Sequence, residues 1–412
     1  MATAYARNPL LRDRDTVVAS AVRAFVRDRG LLEEGDRSDA SGTLNPDILQ
    51  ALKGMGLLGI LVPARYGGMD ATLTTYCAAI EELSRALFAA ANIIAVHAVL
   101  VTVPLLLAAA EPLRARWLPR LASGAWLGAF GITEGHSGAN IEDTRTHFTQ
   151  DGDTLVINGS KRFITNGPLA DVVMILAHEQ SRGPGQGLSL ILVESSRAGF
   201  SVGHIERKLA LNAAPVSELS LDDVRVPRAH LVGEIGAGHH IVYRTLDHCR
   251  TVLAAGVLGL AKQGLDLVLD YVGSRMQSGR PLTANPSVAE RIGTMRALID
   301  AMEADVYVSA AVYDRSLSEG NPTFGRGTST KVFCTEAVSQ VFHIGSELLG
   351  GNSFLDGTFQ RLYREATLVP RIYEGPNAVC NLLVAREVIQ ATRPQRPLRS
   401  VPRPEPPYCG VG

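Results

Sequence analysis

Cysteine is scarce in this sequence: Cys77, Cys249, Cys334, Cys380 and Cys409 are the five present among 412 residues. None is spaced as CxxC, which argues against a thiolate metal centre or a disulfide framework; no metal is expected, and a reducing, cytoplasmic setting fits best. Excess charge of either sign is also missing. Forty basic residues stand against 41 acidic ones, for a formal net charge of -1. The lysines and arginines form no block, so nucleic acid is not an expected partner. Met1 to Arg14 holds no apolar segment ahead of a small-residue cleavage site, so no secretory signal is expected. Internal repeats are absent. What remains, 46% hydrophobic and 20% charged residues, describes a globular chain of two or three domains.

Long uncharged runs are absent with one exception. Ala86 to Ala110 carries no charged residue and is long enough to cross a bilayer. Asn92, His97, Thr102 and Pro104 interrupt it, and no comparable second segment accompanies it. The run is therefore expected as a buried helix, broken near Pro104, rather than a membrane span.

The first 125 residues read as helices: Thr16 to Arg29, a helix opened by the Asn45-Pro46 cap and leading to Leu57, Thr72 to Leu87, the apolar run, and Glu111 to Ala122. Val62 to Gly68 reads as a loop. Between 126 and 236 the pattern changes to short β-rich runs: Leu127 to Thr133, Leu155 to Asn158, Val172 to His178, Leu188 to Glu194, Phe200 to His204 and Glu218 to Leu221. Asp151-Gly152 is a hairpin signal, and Gln180 to Gly187 reads as a surface loop. From 237 to 391 the helical period returns, with breaks at Gly279 to Pro286, Gly320 to Gly327 and Gly350 to Gly357. Within it Val268, Tyr271 and Val272 share one face, as do Ile292, Met295 and Ile299. The tail, 392–412, is rich in proline and arginine and is expected to be disordered.

One carboxylate stands at a break in this last block. Arg361 to Ala366 and Ala378 to Gln390 are helical in character, and Gly375-Pro376 disfavours continuous helix between them. Glu374 is thereby placed at an element end, beside Tyr373 and Ile372, where partial desolvation would raise its pKa toward that of a general base.

The order helices, β block, helices carries a set of landmarks: Pro63-Ala-Arg-Tyr-Gly-Gly68, Glu81-Glu82-Leu83, Gly131-Ile-Thr-Glu134, Asn158-Gly-Ser-Lys-Arg-Phe-Ile-Thr-Asn-Gly167, Asp222-Asp-Val-Arg-Val-Pro227, Leu246-Asp247 with Arg250, Gly350-Gly-Asn352 and Tyr373-Glu-Gly375. In order and spacing the chain resembles the acyl-CoA dehydrogenase family of flavoproteins, roughly from Thr16 to Gln390. The resemblance implies an α+β fold: an N-terminal helical domain, a middle β-barrel-like domain and a C-terminal four-helix bundle. It implies FAD as cofactor and an oxidoreductase that dehydrogenates an acyl thioester between its α and β carbons. Glu374 resembles the base that takes the α-proton, with flavin N5 as hydride acceptor.

By the same resemblance Ile132, Thr133, Gly138, Phe163, Ile164 and Thr165 edge the flavin, whose polar rim calls for backbone groups and small hydroxyls and whose face calls for a flat ring. Arg275 resembles a pyrophosphate clamp, usually across a subunit boundary, for which a guanidinium fork is suited. Glu347, Gly350 and Gly351 match positions beside the cofactor. Tyr373, Gly375, Asp247, Arg250 and Ala139 match substrate-side positions, and Ile93 to Leu100 with Tyr373 match the acyl pocket. In some relatives the base stands at the position of Cys249. A homodimer or homotetramer is implied, with electron-transfer flavoprotein or oxygen as electron acceptor.

Ala139, Asn140, Ser278, Pro286, Glu347, Pro376 and Cys380 depart from the family pattern, mostly at outer cofactor contacts, and Glu347 brings negative charge toward phosphates. These departures leave room for a branch acting on acyl-carrier-protein thioesters or small acyl groups. A flavin oxidase or monooxygenase, or a non-catalytic acyl-binding protein, are the alternatives.

Overall fold

The computed structural model describes residues 8–319 and 325–392; the proline-rich tail and Cys409 lie outside them. The N-terminal block contains helices α1 (Asp13–Asp28), α2 (Leu31–Ser41), α3 (Pro46–Gly54), α4 (Leu73–Ser84), α5 (Phe88–Ala95), α6 (Thr102–Ala108) and α7 (Glu111–Ala122). The Asn45 side chain accepts from the Asp47 N–H at 3.0 Å, with Pro46 at the first helical position, as the cap pattern requires.

The apolar run is interrupted earlier than expected. A π-helical turn, Val96–Val101, separates α5 from α6, and Pro104 lies inside α6. Proline has no N–H for the carbonyl four residues back, and the widened turn ahead of it absorbs that missing bond. A second correction concerns length. Besides Phe88–Ala108, the helix Gly238–Ser274 is also long and apolar enough to span a bilayer, yet 83% and 78% of their apolar windows are buried inside the protein. That is the environment of core helices.

The middle block holds β1 (Gly128–Gly131), β2 (His147–Asp151), β3 (Thr154–Thr165), β4 (Val172–Glu179), β5 (Ser189–Glu194), β6 (Phe200–Ile205), β7 (Val216–Pro227) and β8 (Leu231–Val232). The Asp151-Gly152 signal is a β2–β3 hairpin with Asp151 opposite Thr154. The sheet runs β6-β7-β3-β2-β4-β5-β8, with β1 parallel to β4. Among the described residues no pairing joins β6 to β8, so the sheet does not close into the barrel that was expected. Closure needs two edges long enough to pair, and β8 has only two residues. Glu218 to Leu221 proves to be the middle of the twelve-residue β7, and Leu155 to Asn158 the start of the equally long β3.

The C-terminal block comprises α8 (Gly238–Ser274), a hairpin of β9 (Met276–Gln277) and β10 (Arg280–Pro281), α9 (Pro286–Glu319), α10 (Arg326–Leu349), α11 (Thr358–Leu368) and α12 (Asn377–Thr392). Helices α8, α9 and α10 pack on one another and α12 packs on α10. Val268, Val272, Met295 and Ile299 are fully buried in the shared core.

Helix α4 is drawn tightly onto α8. A Cβ added at Gly259 would stand 2.2 Å from the Glu81 carbonyl oxygen. Beside it Lys262 Nζ donates to Glu81 at 2.7 Å and Glu303 at 3.0 Å, and the Tyr307 hydroxyl donates to Glu81 at 2.6 Å. Gly259→Ala is expected to destabilise the protein by roughly 1–3 kcal/mol, the usual cost of overpacking, read as a lowered midpoint in denaturant unfolding.

Candidate active site

Helix α11 delivers the chain into the turn that carries Glu374, and it is firmly moored. Arg361, 2% exposed, bonds Asp36 through Nε at 2.7 Å and the Leu32 carbonyl at 3.2 Å. The turn follows: the Ile372 and Tyr373 N–H groups both donate to the Val369 carbonyl, and the Asn377 N–H donates to the Arg371 carbonyl at 3.0 Å. Glu374 then takes φ +55° and Gly375 φ +94°. The left-handed region suits glycine and not glutamate, and such a residue costs of order 1–3 kcal/mol unless its surroundings hold it.

Two buried cations do the holding. Arg250 Nε donates to the Glu374 carbonyl at 2.9 Å, and Lys331 Nζ donates to the Gly375 carbonyl at 2.8 Å and to Asn377 Oδ1 at 2.7 Å. Arg250 is itself fixed by Thr328 Oγ1 at 2.8 Å, which in turn donates to Asp247 Oδ1 at 2.7 Å. Asp247 is 2% exposed and also accepts from the Tyr313 hydroxyl and the N–H groups of Gly325 and Thr328. It caps the start of α10, so its carboxylate is committed inside the protein and does not offer itself to a substrate, as its motif had implied. Ile372 also differs from expectation: at 64% exposed, it points away and gives Glu374 no cover.

Cover comes from elsewhere. Glu374 keeps part of its surface exposed, yet burial among protein atoms pushes its carboxyl above the usual range, partly offset by Arg250, the Cys249 thiol and Lys331. Cys249, at the alternative base position, is 3% exposed, and burial beside Glu374 pushes its thiol well up, so it stays protonated. Burial likewise raises the Tyr373 phenol, moderated by the Thr165 hydroxyl, which places the end of β3 against the Glu374 turn. A base with a raised pKa is protonated and inactive at low pH and gains activity as pH rises through that value. The rate of substrate-driven redox change should therefore show an acid limb above the ordinary carboxylate value of about 4.3. Stopped-flow measurement across pH checks this, and a limb at or below the ordinary value would remove Glu374 from the role.

The flavin-edging residues sit on two segments clamped together. The Arg162 N–H donates to the Thr133 carbonyl at 2.8 Å, and Lys161 Nζ donates to the Ile132 carbonyl at 3.2 Å and to Glu134 Oε1 at 2.6 Å. Glu134 also accepts from the N–H groups of Arg145 and Thr146. Burial lowers Lys161 to about 8 against the pull of Glu134. Burial raises Glu134, but Lys161 and the donors outweigh it and leave the carboxyl low, so the pair is ionised at neutral pH. Both residues lay inside sequence landmarks with no role attached.

A register shift in β3 between Lys161 and Ile164 turns Phe163 outward at φ +58° and 56% exposed. Bulges re-aim side chains in this way. The Arg162 guanidinium lies 4.8 Å from the centre of its ring. Ile164 is buried and can contribute only backbone. Gly138 and Ala139 are exposed in the loop after Thr133. Asn166 Nδ2 donates to the carbonyls of Ile93 at 2.9 Å and Gly128 at 3.2 Å, which seats the helix of the expected acyl pocket beside β3.

Arg275, Glu347, Gly350 and Gly351 are not brought to this site. Arg275 follows the last residue of α8, about 36 Å along that helix from Arg250 at 1.5 Å per residue. The second cluster has its own order. Asn352 Nδ2 bonds the Tyr271 hydroxyl at 2.9 Å, and a Cβ at Gly350 or Gly351 would meet open space. The Arg275 guanidinium is exposed and makes no ion pair among the described residues. Glu347 is paired with Arg291, with His343 at 3.6 Å, so its charge is compensated. The other departures have plain local reasons. Ser278 at φ +52° precedes Gly279 at φ +76° in the β9–β10 turn, where a bulky ring would be strained. Pro286 opens α9, Pro376 precedes α12, and Cys380 is buried under the loop with Sγ 3.5 Å from the Gly375 carbonyl.

Three family models match in the order of the blocks: acyl-CoA dehydrogenase N-terminal domain over 13–125, middle domain over 129–224 and C-terminal domain over 236–389. The chain belongs to the acyl-CoA dehydrogenase family. It is 34% identical over 375 residues to an acyl-CoA dehydrogenase of Bacillus subtilis, covering 90% of this chain and 98% of that one. Among solved structures it is similar to butyryl-CoA dehydrogenase from Megasphaera elsdenii, with TM-score 0.87, 27% identity and coverage of 93% of this chain and 100% of that one. It is also similar to a glutaryl-CoA dehydrogenase from Mycobacterium smegmatis in complex with FADH2, with TM-score 0.85, 26% identity, and 92% and 96% covered.

As a family member the chain is an FAD-dependent oxidoreductase that dehydrogenates an acyl thioester. Its residues fit that cofactor: an outward flat ring at Phe163, hydroxyls at Thr133 and Thr165, an uncommitted guanidinium at Arg275 and open backbone at Gly350–Gly351. Lys331, Thr328, Glu134 and Lys161 are the functional supports that reading the sequence missed. Nothing in the spacing of Lys331 or Thr328 marks them, because their partners lie more than forty residues away in the chain and meet them only in the fold.

Proposed function

We propose that Glu374 removes the α-proton of an acyl-CoA thioester. The observation that carries this is its setting: a carboxylate with raised basicity on a turn whose two carbonyls are pinned by Arg250 and Lys331. The Glu374 N–H has no hydrogen-bond acceptor among the described residues, which leaves it to hold the thioester carbonyl oxygen as charge develops there. Tyr373, Gly375 and the segment Ile93 to Leu100 surround the acyl chain in this reading. Bound FAD supplies the two-electron acceptor for the β-hydrogen. The protein's own part is to hold the α-carbon at the carboxylate, keep water from it and take the proton.

CoA is proposed as the carrier because the relatives above bear CoA-thioester names. A homodimer or homotetramer is proposed because the two cofactor clusters lie too far apart in one chain to serve one FAD. Exposed apolar side chains at Phe333, Leu382, Val388 and Phe354 also support burial against a second copy. Electron-transfer flavoprotein is the proposed acceptor, and the cytoplasm the proposed compartment, supported by four buried free thiols.

The test is anaerobic titration of the FAD-loaded protein with matched CoA and acyl-carrier-protein thioesters. Bleaching by a CoA thioester supports the proposal. Bleaching by carrier-protein thioesters alone overturns the CoA assignment, and rapid peroxide release in air would turn the acceptor to oxygen.

A further inference from the structure

We infer that Lys331 is a positioning residue for the reaction, its ammonium setting both the path of the Glu374 turn and the electrostatic field at the carboxylate. The inference rests on Glu374 being the base. Lys331 lies on α10 and is fully buried, 0% exposed. Its three donors meet the Gly375 carbonyl at 2.8 Å, Asn377 Oδ1 at 2.7 Å and, more loosely, the Arg371 carbonyl at 3.4 Å. All three acceptors are neutral.

A buried cation without a bonded counter-ion is costly, and a lysine kept there calls for an anion it can act on. The charged and titratable groups facing it are Arg250, Glu374, Glu336 and Cys380. Glu336 is already engaged, by Arg371 at 2.9 Å and by Asn377 Nδ2 at 2.8 Å. Cys380 is a buried thiol bonded to the Gly375 carbonyl. The other carboxylate whose charge acts on Lys331 is that of Glu374, on the turn that Lys331 Nζ grips through the Gly375 carbonyl, without a direct ion pair between the two side chains among the described residues; it in turn faces Arg250, Cys249, Lys331 and Tyr373.

An aliphatic side chain could fill the same space. It could neither tie three acceptors nor place positive charge beside the base. Burial lowers Lys331 itself to about 8, so its charge is present at neutral pH and is lost as pH rises past that value.

The deciding variants are Lys331→Met and Lys331→Arg, each FAD-loaded, with flavin reduction by a substrate thioester followed across pH. In Lys331→Met the limiting reduction rate should fall about tenfold or more, with the half-saturating substrate concentration nearly unchanged. The acid limb should move to higher pH, since removing a nearby cation makes a carboxylate harder to ionise. Lys331→Arg, which keeps the charge, should hold the limb at its wild-type place. A merely structural lysine would lower the yield of folded protein and leave the limb unmoved. A folded Lys331→Met holoenzyme with the wild-type limb overturns the inference. Should that variant fail to fold, the wild-type enzyme decides: its rate should decline through an alkaline limb near 8, and no decline there overturns the inference. If no thioester bleaches the wild-type flavin, the Glu374 reading fails and this inference falls with it; normal bleaching with an unmoved limb sinks the lysine alone.

Discussion

Glu374→Gln binds FAD as the parent protein does and is not bleached by any acyl thioester: that is the expected result, a loss of roughly 10²–10⁴-fold or more in reduction rate. Glutamine has the size of glutamate, and the grips on this turn are on backbone. Arg250 holds the Glu374 carbonyl and Lys331 the Gly375 carbonyl, and neither bond involves the carboxylate. The turn and its positive φ should therefore survive. What disappears is the one group able to take a proton, because an amide at that position has no accessible basicity. The Cys249 thiol is no substitute, since burial keeps it protonated. Equal rates of anaerobic bleaching in the two proteins would show that the base lies elsewhere.

Lys161→Met should be the most damaging change outside the Glu374 turn. Lys161 and Glu134 have side chains 0% and 4% exposed with Nζ 2.6 Å from Oε1. Removing only the lysine leaves a carboxylate buried without its counter-charge, which costs about 3–5 kcal/mol. It also frees the Ile132 carbonyl and with it the segment that carries Thr133. The variant should unfold at a markedly lower denaturant concentration and lose FAD on desalting. Adding Glu134→Gln should restore much of the stability, because the stranded charge is then gone. A single variant as stable as the parent would mean that the pair contributes nothing net. A double variant no better than the single would assign the loss to packing.

The contrast between these two sites shows how far residue patterns reach. Glu374 was legible because Gly375-Pro376 breaks a helix next to it, and such breaks are local events. The three-block order was legible for the same reason, since helical and strand periods are properties of short windows. The extents of β3 and β7 were not, because their pairing slips twice, with an extra residue at Asp222–Asp223 of β7 and another between Lys161 and Ile164 of β3, and such slips interrupt the alternation that marks a strand. The π-helical turn at Val96–Val101 was displaced from the proline that signalled it. Asp247 looked like a substrate contact because it precedes Arg250 in a motif. Four donors from α9, α10 and the turn before α10 fill it instead.

By itself the sequence determined the element types, the family and the FAD chemistry, and it placed Glu374 at an element end, since each depends on local periodicity or on motifs read in order. Only the tertiary structure decided which groups support that residue. Lys331 reaches Gly375 across 44 positions and Arg250 reaches Glu374 across 124. Hydrogen bonds and charges act over a few ångströms in space, and separation along the chain does not reveal which side chains will lie that close.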